Sequence, residues 1–201
     1  MSLDYYFDLS SSYSYVGTMR IEGLCQAAGV RMQWKPFLLG AVFKGIANYS
    51  PMVNVPTRVD YAWRDIQRLC GKYGLACDRP RVFPQRSVLA NRAIIAVIDQ
   101  PWVGDFIRGL FRAQFAEQKD IGNPGTVELV LGSLGIDGAQ VLKDAETEPV
   151  KLKLREFTDQ AIKLGIFGAP NAVVGDELFF GQDRLEDAVA YARDGKLPGL
   201  D

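Results

Sequence analysis

The chain is 201 residues long, enough to bury a sizeable core in one domain or in one domain carrying an insertion. Its 23 basic and 24 acidic side chains leave a net charge of −1, so no general field draws it to nucleic acid or to an anionic membrane. It has no histidine, which excludes Ser-His-Asp and Cys-His catalysis and removes the commonest ligand of zinc, copper and non-haem iron.

In chain order, Leu3 to Phe7 reads as a short strand ending at Asp8. A helix follows the Ser-rich stretch Ser10-Ser11-Ser12 and runs to about Ala28, with Val16, Ile21, Leu24, Cys25 and Ala28 as its inner face. Gly29 is its expected stop. Arg31 to Phe37 reads as a second strand, and such a crossover gives two parallel strands with the helix on one face. The middle is helical by its period: Thr57 to Tyr73, Arg86 to Ile98, the face Trp102, Phe106, Leu110, Phe111 and Phe115, then the shorter pieces Thr126 to Leu134 and Asp137 to Asp144. Val150 to Leu164 is another amphipathic helix, stopped by Gly165. Ala172-Val173-Val174 and Leu178-Phe179-Phe180 flank Gly175-Asp176-Glu177, a hairpin signal. Asp183 with Glu186 has the spacing of a capping box for a last helix carrying Leu185, Ala188, Val189 and Ala192 inward.

Two αβ halves around a helical block predict one sheet built from both ends of the chain, with the insert over one edge. The domain reading is residues 1–50 and 148–201 for the αβ part and 51–147 for the insertion. Cys25, Cys70 and Cys77 are odd in number and none are spaced Cys-x-x-Cys, so neither a disulfide framework nor a zinc site is expected. Cys25 and Cys70 fall on apolar stripes, where a thiol packs as a small hydrophobe. No run of eighteen apolar residues exists, and the start lacks a basic segment followed by an apolar one. The expectation is a cytoplasmic chain without a membrane span.

This element order, with Ser11-Ser12-Tyr13-Ser14 after the first strand and Gly168-Ala169-Pro170 before the third, resembles an α/β thioredoxin-like fold with an all-helical, DsbA-like insertion. Tyr6-Phe7-Asp8 leading into Ser11-Ser12-Tyr13-Ser14-Tyr15 resembles the start of 2-hydroxychromene-2-carboxylate isomerases and kappa-class glutathione transferases. Gly165-Ile166-Phe167-Gly168-Ala169-Pro170 is similar to their segment before a cis-proline, and Gly181-Gln182-Asp183-Arg184 to their glutathione clamp. Ser12 departs from the pattern, which usually has proline there. The resemblance implies glutathione as cofactor, a small-molecule substrate and a homodimer. It places Ser11, Asn48, Ala169, Pro170, Gln182 and Asp183 at glutathione, and Asn48 and Arg86 at the second substrate.

Each residue also has a plainer reading. Ser11 fits a helix cap. It is a poor nucleophile, because no histidine stands by as base. Its hydroxyl can instead donate to a thiolate brought by a ligand, beside the exposed amides of the helix start. Lowering a thiol pKa by about two units requires about 2.7 kcal/mol. A hydrogen bond to a charged group supplies roughly 1.5–3 kcal/mol. The helix dipole adds up to about 2 kcal/mol in a partly buried site. Ser14 stands where a redox motif has its second cysteine, so dithiol exchange is excluded here, and its hydroxyl is expected to bond backbone in the first turn. Asp183 fits both a helix cap and a partner for the γ-glutamyl ammonium. Asn48 fits a loop asparagine as well as a ligand contact. Arg86 fits a solvated helix start as well as a carboxylate partner.

The leading expectation is a glutathione-dependent isomerase of aromatic-ring degradation, acting by reversible thiolate addition to a conjugated α-keto acid. A kappa-type transferase or peroxidase is the close alternative. A thioredoxin-fold binding domain that has lost its cysteines and catalysis is the alternative of another class.

Overall fold

The structure, a computed structural model, describes residues 1–46 and 55–196. Strand β1 (Leu3–Phe7) leads into helix α1 (Ser12–Ala28), then β2 (Met32–Pro36) and α2 (Leu39–Ile46). The helical block follows: α3 (Pro56–Tyr73), α4 (Val88–Ala96), α5 (Val103–Phe115), α6 (Pro124–Ser133) and α7 (Gly138–Ala145). Helix α8 (Glu148–Lys163), strands β3 (Asn171–Val174) and β4 (Glu177–Phe180), a 3-10 turn (Gln182–Arg184) and α9 (Leu185–Asp194) complete the chain.

The four strands lie in the order β2-β1-β3-β4. β1 and β2 are parallel, with Tyr5 opposite Trp34; β3 runs antiparallel to both β1 and β4. The two ends of the chain thus share one sheet, as predicted.

β1 is central, and its side chains alternate between two cores. Leu3, Tyr5 and Phe7 join a cluster with Val16 and Ile21 of α1 that continues through Phe106, Leu110, Phe111 and Phe115 of α5. Tyr6 points the other way, into a smaller cluster with Phe37, Val42, Ala161, Ile166 and Val173. The helical block packs on α1 and meets the sheet at its β2 edge.

Helix α1 starts at Ser11, which is extended (φ −99°, ψ 122°), and stops at Gly29 in the left-handed region (φ 67°). Three elements differ from expectation. Helix α2 has no sequence signature. Its first amide, Leu39, is capped from a distance by the Asp8 carboxyl at 2.7 Å. Helix α4 begins at Val88 rather than Arg86. Gln85 just before it is held by the 119–121 segment, accepting from the Ile121 amide at 3.0 Å and donating to the Lys119 carbonyl at 3.2 Å. The capping box at Asp183 does not form. The 3-10 turn runs directly into α9, whose N-cap position is Arg184 and carries no side-chain cap bond.

Candidate functional site

Asp8 closes β1 and is 1% exposed. Its Oδ1 accepts from the Ser10 amide at 3.0 Å and from Asn91 Nδ2 of α4 at 3.2 Å, while Oδ2 caps α2. One carboxyl group therefore fixes the chain entering α1, the start of α2 and the middle of α4. The Ser11 amide adds a bond to the Asp8 carbonyl at 3.0 Å.

Ser11 itself is buried. Its Oγ accepts from the Ser14 amide at 3.2 Å, as a cap does, and donates to the Ala169 carbonyl at 3.0 Å. The cap leaves the first-turn amides of Ser12 and Tyr13 without intrahelical acceptors, and the dipole of α1 adds positive potential there. The single proton of the Ser11 hydroxyl is committed to a carbonyl and must be redirected to serve a thiolate. Ser14 Oγ, expected to bond backbone, is instead buried without a partner among the described residues; it is the Ser14 amide that bonds Ser11.

The Ala169–Pro170 bond is cis. Helix α1 approaches this turn closely. A Cβ on Gly17 would stand 2.5 Å from the Tyr5 hydroxyl and 3.1 Å from Pro170 Cγ. The Pro170 carbonyl in turn accepts from the Gly181 amide at 2.9 Å, joining the proline turn to the 181–184 turn. Gly181 has φ 107°, a conformation that L side chains rarely adopt.

Gln182 is buried, and Arg20 of α1 explains why: its Nη1 donates to both the Gln182 carbonyl and Oε1, each at 2.9 Å. Asp183 turns outward, its carboxyl largely exposed and 3.8 Å from Arg184 Nε. Between this turn and the helical block sits Tyr13, whose hydroxyl donates to Asp65 Oδ2 of α3 at 3.0 Å. Burial first, then Asp65, and more weakly Tyr61 and Asp183, push the Tyr13 pKa well above the ordinary phenol value. Ser11, Ala169, Pro170, Gln182 and Asp183 are thus linked in one bonded assembly.

Arg86 stands apart from that assembly. It is exposed and lines a cavity of about 490 Å³ with Val88, Leu89, Arg92 and Gly122, at the start of α4. Asn91, buried on the same helix, donates to Asp8. Asn48 lies outside the described residues.

Asp8, Tyr13, Arg20, Asp65 and Asn91 were given no site role by sequence, although Asp8 and Tyr13 stand within the quoted motifs. Each works through a partner at least thirty residues away, which no local pattern displays. The cysteines pack as expected, with Cys25 and Cys70 buried. Burial pushes the Cys25 thiol up to about 11. The Cys70 thiol donates to Cys77, which lowers the pKa of Cys77 and raises that of Cys70. Among the described residues no group of side chains could hold a metal, and no helix is long and apolar enough to cross a membrane.

The chain is similar to 2-hydroxychromene-2-carboxylate isomerase of Pseudomonas putida, 28% identical over 188 residues, covering 92% of this chain and 91% of the relative. It is equally similar to glutathione S-transferase kappa 2 of Caenorhabditis elegans, 29% identical over 204 residues, covering 93% and 89%. A solved 2-hydroxychromene-2-carboxylate isomerase superimposes with a TM-score of 0.79 at 26% identity, covering 92% of this chain and 91% of that one. A cytosolic disulfide reductase of Pseudomonas aeruginosa, solved with glutathione, shares the fold at a TM-score of 0.66 and 15% identity. The model of the DSBA-like thioredoxin domain matches residues 2–192, and the chain belongs to that family.

Proposed function

We propose that this chain is a glutathione-dependent isomerase acting on 2-hydroxychromene-2-carboxylate or a similar conjugated α-keto acid. The observation that carries the reading is the Ser11 hydroxyl, set at the first turn of α1 and 3.0 Å from the Ala169 carbonyl. The donor set fits a thiol peptide. Ser11 and the first-turn amides suit a sulfur anion, the Ala169 backbone suits an extended peptide, and the exposed Asp183 carboxyl suits an ammonium. Bound glutathione would supply a thiolate that adds to a conjugated double bond and leaves again after rotation.

The residues then have these tasks. Ser11 turns its proton from the Ala169 carbonyl to the sulfur, exchanging a neutral acceptor for a charged one. The α1 dipole favours that anion. Gln182 and Asp183 hold the γ-glutamyl end, and Arg86 beside Arg92 offers a guanidinium to a substrate carboxylate.

Similarity of equal strength to kappa transferases favours a second reading, in which the same thiolate attacks an electrophile and is consumed. Both readings share the first test. Glutathione is titrated calorimetrically, and the bound thiol pKa is read from thiolate absorbance. A drop of about two units is expected, with Ser11→Ala giving back about one. An unshifted bound thiol would sink both. Incubation with 2-hydroxychromene-2-carboxylate then separates them: an isomerase changes the chromene absorbance at constant free thiol, and a transferase depletes the thiol.

A further inference from the structure

We infer that Arg20 is the positioning residue of the glutathione clamp, setting the turn that carries Gln182 and Asp183 against α1 without touching the ligand. The inference rests on the proposed glutathione reading and goes beyond it by adding a residue from a different element.

The 181–184 turn has few holds of its own. Gly181 bonds Pro170 at one end, and the Arg184 amide makes only a long bond of 3.3 Å to the Gly181 carbonyl. Asp183, in between, is exposed. What fixes the middle is one nitrogen of Arg20, which satisfies both oxygens of Gln182. Those oxygens belong to a residue 7% exposed, where an acceptor without a donor is costly. Loss of Arg20 therefore drives Gln182 to seek water and carries Asp183 with it.

Arg20 is itself held on two further sides. Its guanidinium lies over the Tyr73 ring, 3.9 Å from the centroid, and its second nitrogen pairs with Glu186 of α9. Only 11% of the side chain is exposed. The guanidinium thus joins α1, the end of α3, the clamp turn and α9. Such a planar group, stacked and forked at once, cannot be copied by a flexible ammonium.

The test measures binding of glutathione and of cysteinylglycine, which lacks the γ-glutamyl group, by calorimetry on the whole chain. Arg20→Met is expected to weaken glutathione about tenfold and leave cysteinylglycine unchanged, so preference for the γ-glutamyl group collapses. Arg20→Lys should recover part of it, with about a threefold loss. Glu186→Gln, which removes the ion pair but leaves both bonds to Gln182, should stay within about twofold.

Equal weakening of both peptides in Arg20→Met would mean a merely structural role and overturn the assignment. So would unchanged glutathione affinity, or a loss in Glu186→Gln as large as in Arg20→Met. If Arg20→Met does not fold, Arg20→Lys decides: unaltered preference for glutathione there overturns the inference. Absence of glutathione binding by the unaltered chain overturns both readings together, whereas binding that ignores Arg20 overturns this one alone.

Discussion

The assembly around Ser11 and the cavity around Arg86 are held in opposite ways. In the first, buried groups from β1, α1, the proline turn and the 181–184 turn close on one another: Ser11 on Ala169, Gly181 on Pro170, Arg20 on Gln182. In the second, the lining is an exposed arginine, an exposed valine, half-buried Leu89 and Arg92, and a glycine. The first region places donors to within a hydrogen bond's tolerance, which a sulfur anion requires. The second supplies volume and positive charge, with Arg92 tied to Glu146 at 3.2 Å. On the proposed reading, substrate choice falls to the second region and thiol chemistry to the first.

The contrast is broken most sharply at Asp8. Asp8→Ala strands the amides of Ser10 and Leu39 and leaves Asn91 Nδ2 only its 3.4 Å bond to the Phe37 carbonyl. Unfolding in urea should show a loss of about 3 kcal/mol or more. A loss below about 1 kcal/mol would show that the three elements are held by something else.

Next comes Gly17→Ala, whose added carbon meets the Tyr5 hydroxyl and Pro170. Both neighbours are ringed by core, so about 1–3 kcal/mol should be lost, with glutathione affinity falling alongside as the helix is pushed off the proline turn. Wild-type stability in this variant would mean that the close approach is not required.

The smallest effect belongs to Arg86→Leu, which should leave stability within about 0.5 kcal/mol and glutathione affinity unchanged. A large stability loss there would erase the distinction between the two regions.

The same contrast explains what the sequence displayed. The Ser11 cap and the Gly29 stop were legible because each is a local pattern whose partner lies within five residues. The sheet followed from element order, through the rule that crossovers put parallel strands side by side. Helix α2 was hidden because its cap comes from Asp8, thirty-one residues earlier. Asp183 misled for the opposite reason. Its spacing to Glu186 is a correct local signal, overridden once Gly181 adopts φ 107° and the 3-10 turn takes the place of the cap. Arg20 sits on α1, and only the folded positions of Gln182, Tyr73 and Glu186 give it a task.

The bond from Ser11 to the Ala169 carbonyl also acts as a threshold. The hydroxyl's one mobile proton already has an acceptor, so water, an alcohol or an un-ionised sulfhydryl gains nothing by displacing it. Only a partner bearing negative charge draws that proton away, since charge-assisted bonds are roughly twice as strong as neutral ones. On the proposed reading, Ser11 therefore selects its ligand by ionisation before shape enters.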